Sequence, residues 1–212
     1  MLPLTEDVPP RGSEGLYYSA HKAELEELLS DLVRDSATDA YLFRPCIVGG
    51  PEATTFIDVI PYVRLSERMP GPVRRLLDVM PILKPVIPDP GVPFQLVHHD
   101  DVATALRAGV LGRGRPGAYN LAGPGEITMS DLADAMGWYS VSVPELAAEA
   151  AAEVVARAPL VPAVLQWLHA VRVPVIMDTA KARRELRWRP ASSARETLDA
   201  TVAASRAEPI GH

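Results

Sequence analysis

The sequence predicts an α/β fold built on parallel strands, and three observations predict it. Short, continuously apolar runs alternate with helical stretches along most of the chain. The runs lack the in-out alternation of a strand with one wet face, which suits parallel strands buried on both sides. An amphipathic helix stands near the N-terminus with its apolar positions at helical spacing. The chain has 212 residues, enough for one ordinary domain or a domain and a half. Its hydrophobic fraction of 48% is that of a globular protein.

The first element is the N-terminal helix. Tyr18, Lys22, Leu25, Leu29 and Leu32 form one stripe at steps of 4, 3, 4 and 3. Glu24, Glu26, Glu27, Asp31 and Arg34 populate the rest of the surface. The stripe reads as the core-facing side, so it carries a phenol and an ammonium one turn apart. Lys on a core stripe needs a partner. A nearby cation favours phenolate, so a Tyr with a Lys at i+4 can give or take a proton near neutral pH. The same spacing also fits a Tyr at a helix edge beside a Lys whose stem covers apolar surface.

Residues 40–43 follow as a short apolar run, read as a strand buried on both faces, and Pro45 ends it. The loop 46–51 then leaves the carboxyl end of that strand, where open α/β sheets bind ligands. Residues 94–98 predict a second strand, with Asp100 or Asp101 capping the helix after it. Gly112-Arg113-Gly114-Arg115-Pro116-Gly117 fits G-x-G-x-x-G, but helix precedes it and strand follows, the reverse of a dinucleotide site. It reads as a surface turn. Residues 118–121 predict a third strand, and Thr128 with Asp131 a capping box. The Pro-rich stretch 54–89, with a basic apolar helix near 73–80, and the Ala-rich helical stretch 143–171 are assigned to a smaller lobe.

Composition excludes several classes of function. A net charge of −6 and only two adjacent basic pairs, Arg74-Arg75 and Arg183-Arg184, offer nothing to nucleic acid or an anionic membrane. One cysteine excludes an internal disulfide and fits a reducing cytoplasm. The N-terminus lacks a basic, then apolar, leader pattern, and no apolar run reaches the ~20 residues of a membrane span. No metal is expected at His98-His99-Asp100-Asp101, because successive side chains on a strand face opposite ways. Cys46 reads as a small buried residue, not a nucleophile.

Several segments, in one order, resemble the extended short-chain dehydrogenase/reductase family, which includes NAD-dependent epimerases and dehydratases of nucleotide sugars. Leu4-Thr5-Glu6-Asp7-Val8-Pro9-Pro10 and Tyr17-Tyr18-Ser19-Ala20-His21-Lys22-Ala23-Glu24 resemble the approach to its active-site helix and the helix itself. Arg44-Pro45-Cys46-Ile47-Val48-Gly49-Gly50-Pro51 is similar to its segment beside the nicotinamide. Leu96-Val97-His98-His99-Asp100-Asp101-Val102-Ala103 is similar to its V-H-V-D-D-V-A run. Gly117-Ala118-Tyr119-Asn120-Leu121-Ala122, Thr128-Met129-Ser130-Asp131-Leu132 and the stretch from Asp178 to Pro190 resemble later landmarks.

The resemblance implies the C-terminal part of a Rossmann-like doubly wound parallel sheet with a small, mostly helical substrate-binding lobe. Residues 1–53 would hold the active-site helix, strand and nicotinamide loop, 54–92 a lobe insertion, 93–142 the return to the core, and 143–212 the rest of the lobe and the terminal helices. It implies hydride transfer between a hydroxyl-bearing carbon and NAD or NADP. Tyr18 would move the hydroxyl proton. Lys22 would bind the nicotinamide ribose and lower the Tyr18 pKa, and Pro45, Cys46, Ile47 and Val48 would line the cofactor. The partner would be a small-molecule substrate, with no nucleic acid and no membrane, and a homo-oligomer is compatible with the reading. In the family a nucleotide-binding half of roughly 100 residues or more precedes the active-site helix. Its Gly-rich turn has no counterpart here, so the competing expectation is a non-catalytic binding module. Phe94 stands where nucleotide-sugar members often carry an Arg for the diphosphate, which points toward a less charged alcohol or ketone. Arg187 replaces the usual Gly before Trp188, a position expected to close a helix left-handed.

Overall fold

A computed structural model of the chain describes residues 3–9, 17–58, 60, 63, 84–144 and 175–207, with the backbone alone for 17–20. Helix α1 (Tyr17–Val33) leads into β1 (Tyr41–Pro45), and after Cys46 the chain continues as β2 (Ile47–Gly49) and α2 (Thr55–Asp58). Then come β3 (Val86–Asp89), β4 (Leu96–His98), α3 (His99–Val110), β5 (Gly117–Leu121), α4 (Met129–Met136) and β6 (Tyr139–Ser142). Helices α5 (Ala180–Glu185) and α6 (Ala194–Ala207) complete the described elements.

All three strand pairs are parallel: β1 with β5, β2 with β4, and β3 with β6. β1 runs in register from Tyr41 opposite Gly117 to Pro45 opposite Leu121. At Cys46 the chain changes partner. The Cys46 N–H still donates to the Leu121 carbonyl at 2.9 Å, while the Gly123 N–H donates to the Leu96 carbonyl at 2.9 Å and joins the end of β5 to β4. The segment expected as a plain loop, 46–51, therefore contains a strand, because β4 offers β2 a second parallel edge.

β4 is buried on both faces. Leu96 and Val97 are both 0% exposed, and they belong to two different apolar clusters. Successive strand residues face opposite ways, so one packs with Ile127, Leu132, Leu198 and Phe56 and the other with Tyr119, Leu121, Leu186 and Trp188. β1 is only half-buried, unlike the strand buried on both faces that its apolar run suggested. Among the described residues its one strand neighbour is β5. Phe94 lies outside the regular strand and makes an isolated antiparallel bridge to Ile127.

The helix termini follow local chemistry. α4 starts with the expected capping box, Thr128 accepting from the Asp131 N–H and Asp131 accepting from the Thr128 N–H, and ends on left-handed Gly137. α3 departs from expectation. Its cap is His98, whose Nδ1 accepts from the Asp100 N–H at 3.3 Å. Asp101 instead is buried and straps down the C-terminal loop, accepting from Ala191 N at 2.7 Å and Ser192 N at 3.2 Å, with Trp188 Nε1 on its carbonyl at 2.9 Å. The G-x-G-x-x-G stretch is a turn between α3 and β5, with Gly112 and Gly114 at φ of 67° and 72°. Arg187 is left-handed at φ 54°, as its place after α5 implied, at a cost of about 1 kcal/mol relative to Gly.

The expected core stripe of α1 is not buried by the described residues. Leu25, Leu29 and Leu32 are 56%, 39% and 68% exposed, and Lys22 is exposed as well. The positions turned toward the rest of the chain are Ala23, Glu26 and Val33, which are half-buried. The hold on α1 is correspondingly polar. Arg44 of β1 grips the Glu26 carboxylate through Nε at 3.0 Å and Nη2 at 2.6 Å. Its Nη1 donates to the Glu6 carbonyl at 3.3 Å. The helix expected near 73–80 and nearly all of the stretch 143–171 lie outside the described residues.

Tyr119 anchors the amino end of β5. Its ring is fully buried, and its hydroxyl lies 2.9 Å from Glu185 Oε2 and 2.5 Å from the Arg115 carbonyl. Lys181 sits 4.6 Å from the ring centroid and donates to the Ala118 carbonyl. Burial, followed by the Glu185 carboxylate, pushes the phenol up to about 12. The same hydrogen bond holds the Glu185 carboxyl below its usual range.

These contacts have measurable consequences. The Arg44–Glu26 side chains are 20% and 25% exposed, against 69% and 66% for Arg34–Asp31. Arg44→Ala should therefore cost about 2–3 kcal/mol in urea unfolding and Arg34→Ala less than about 1. Raising pH from about 10 to about 12 takes the proton from Tyr119 in the unfolded chain before the folded one, so stability falls across that window. Urea midpoints in Tyr119→Phe should fall less steeply there than in the wild type; equal slopes would contradict the assignment.

Candidate active site

The helical pair and the segment expected to line a cofactor arrive from neighbouring elements. Tyr18 has its backbone in the first turn of α1, and its side chain lies outside the described residues. Lys22 follows one turn later on the same helix and is exposed. The four-residue spacing puts the two on one face by helix geometry. What sets the helix beside β1 is the Arg44–Glu26 fork, and Pro45 to Val48 continue directly from Arg44.

Pro45, Cys46, Ile47 and Val48 are brought together at the carboxyl end of β1 and the start of β2. Cys46 is half-buried, its Sγ 3.8 Å from the Ile47 carbonyl. Burial pushes its thiol up to about 12, so it stays protonated at neutral pH and is no nucleophile. Gly49 must be glycine because a Cβ there would meet Thr201 Oγ1 at 2.9 Å, and Gly50 N donates to that hydroxyl at 2.7 Å. Helix α6 thus packs on the backbone of β2.

A cleft of about 500 Å³ opens at the carboxyl end of β5, between Pro3, Gln95, Gly123, Asp178 and Arg183. Gly123 makes it possible: a Cβ there would stand 2.7 Å from the Leu96 carbonyl and 3.0 Å from that of Ser192. Ligands in open α/β sheets bind at this end of the strands. A second cavity, about 390 Å³ beside Arg113, Gly114, Glu185 and Arg187, lies at the amino end of β5, the wrong end for that chemistry. Phe94 is packed against an apolar cluster.

The two histidines are not splayed apart. Their ring centroids lie 4.4 Å apart, because His98 ends β4 and His99 begins α3, so strand alternation stops between them. Sequence reasoning also missed the framework around the candidate residues. Glu6 Oε1 accepts from the Asn120 N–H at 2.9 Å, and Asn120 Nδ2 donates to the Leu4 carbonyl at 3.0 Å. Both residues sit within recognised segments, but nothing in their spacing signals that they meet.

No protein-family model and no curated protein matches the sequence. Solved structures do match in fold. A dTDP-glucose 4,6-dehydratase from Bacillus anthracis in complex with NAD aligns over 98% of this chain and 57% of its own, at TM-score 0.62 and 17% identity. A UDP-glucose 4-epimerase from Thermotoga maritima with UDP-glucose aligns over 98% and 58%, at TM-score 0.58 and 21% identity. RMD from Pseudomonas aeruginosa complexed with NADPH aligns over 98% and 61%, at TM-score 0.61 and 16% identity. The chain has the Rossmann-like α/β fold of these proteins and spans less than two thirds of their length.

Proposed function

We propose that the chain forms the catalytic and substrate-binding portion of an NAD(P)-dependent oxidoreductase of the epimerase/dehydratase type, acting on a hydroxyl or keto carbon of a sugar-related small molecule in the cytoplasm. The observation that supports it is the placement of Tyr18 and Lys22 one turn apart on a helix clamped to the strand that leads into Pro45–Val48. The nicotinamide would supply the hydride acceptor. Tyr18, as phenolate, would take the hydroxyl proton while the carbon gives up hydride, and would return it in the reverse direction. The Lys22 ammonium would favour phenolate and bind the ribose. The backbone of Cys46 to Val48, with Pro45, would line the nicotinamide. The cleft beside Gly123 would take the substrate.

The fit to the dinucleotide is partial. The described residues supply a lysine and a loop at the nicotinamide end, and their one G-x-G-x-x-G stretch is a helix-to-strand turn. A second reading, a chain that acts by docking on another polypeptide, is favoured by the exposed Leu25, Leu28, Leu29 and Leu32 on α1. Neither reading calls for nucleic acid or a membrane surface, and no helix among the described residues is long and apolar enough to cross a membrane.

Two measurements test the proposal. In a form of the protein that carries a nucleotide-binding segment, Tyr18→Phe should lower turnover at least ~10²-fold and leave cofactor affinity unchanged. Unchanged turnover would sink the role of Tyr18. The 212-residue chain alone should bind neither NAD nor NADP tightly in a calorimetric titration, and light scattering should show self-association through its exposed apolar helix face. A monomer with micromolar cofactor affinity would overturn both expectations.

A further inference from the structure

We propose that His98, His99 and Asp100 form a binding site for a divalent transition metal ion of the zinc type. One nitrogen from each imidazole and one carboxylate oxygen lie within 4.8 Å of one another. His98 Nδ1 is 3.6 Å from Asp100 Oδ2, and His99 Nδ1 is 3.3 Å from Asp100 Oδ1. Ligand atoms around a tetrahedral ion at ~2.0–2.2 Å stand about 3.3–3.6 Å apart, so small movements close this set around one ion. Three protein ligands leave a fourth position for water or a ligand.

Among the described residues, the His99 ring is not committed to another protein group at its far nitrogen. Its Nε2 is shut away from solvent and has no hydrogen-bond partner among the described residues. Both rings are also held in place. They lie over Gly50, where a Cβ would meet His99 Cδ2 at 2.3 Å and His98 Nε2 at 2.9 Å. The Asp100 N–H on His98 Nδ1, a long contact at 3.3 Å, is the bond an ion at that nitrogen would displace. Asp100 is 76% exposed, which gives an ion a route from solvent. Two imidazoles with one carboxylate suit zinc, cobalt, nickel or copper, and suit poorly the all-oxygen preference of magnesium or calcium. The site adjoins the Gly49–Gly50 end of β2, so an ion there would stiffen the segment that follows Val48.

The test uses the untagged 212-residue protein and Co²⁺ as an optical probe. One equivalent should give the visible bands of a four-coordinate site, lost on adding Zn²⁺ and unaffected by excess Mg²⁺. His98→Ala and His99→Ala should each weaken Co²⁺ binding at least ~10-fold, the lower bound seen even for residues that only support a ligand. His21→Ala should leave it unchanged. Wild-type protein without saturable binding, or a His98→Ala/His99→Ala double variant with undiminished affinity, would overturn the proposal. A readout on wild type alone avoids any folding defect in the variants. With traces of Cu²⁺, the His98 and His99 imidazole resonances should broaden before those of His21, His169 and His212. Equal broadening across all five histidines would equally overturn it.

Discussion

The fork between Arg44 and Glu26 is the contact on which the candidate site depends. α1 brings little apolar surface to the rest of the chain, since Leu25, Leu28, Leu29 and Leu32 are exposed. A helix held by its apolar face can rotate by a fraction of a turn and keep most of its burial. One held by a planar guanidinium on a carboxylate has a single register. Arg44 also takes the Glu6 carbonyl, so the same side chain fixes the segment before the helix. Lys22 sits one turn before Glu26. Its position relative to Cys46, two residues past Arg44, is therefore set by one side-chain pair.

Much of the fold was legible because parallel strands leave a strong trace. The run Leu96-Val97 is apolar without alternation, and both residues are buried on opposite faces. Thr128 and Asp131 announced their capping box through spacing alone. Arg187 in place of glycine announced a left-handed residue. Illegible features were those set by long-range partners. The α1 stripe has helical period whether or not anything covers it, so periodicity could not show that these leucines stay exposed. Asp101 has the right residue type for a cap, but a buried carboxylate is claimed by its best donors, and those are Ala191 and Ser192, 90 and 91 positions away. The strand 47–49 was hidden because Pro45 masks the handover from β5 to β4.

The same limits apply to the site. Tyr18, Lys22 and the 45–48 segment stand out as motifs because the chemistry proposed for them depends on local spacing. Glu6, Glu26 and Asn120, which hold the framework, do not. Each makes its key bond to a residue far along the chain, and a lone carboxylate or amide carries no mark of its partner. The histidine pair was misread for a related reason. Alternation is a rule for residues inside a strand, and His98 is the last residue of one.

Parallel geometry then sorts the polar groups into two sets with different work. Strands running one way place all their carboxyl ends together, with helices returning over the faces. Cys46 after β1, Gly123 after β5 and His98 at the end of β4 share that end. Backbone there is short of ladder partners and turns sharply, so glycines crowd it and side chains face open space. At the amino end of β5 the polar groups are consumed by one another: Tyr119 on Glu185, Lys181 on the Ala118 carbonyl and over the Tyr119 ring. A phenol pushed up to about 12 and a carboxyl held down cannot exchange a proton near neutral pH. That cluster serves the fold, and the proposed chemistry falls to the carboxyl end, where the cleft beside Gly123 opens.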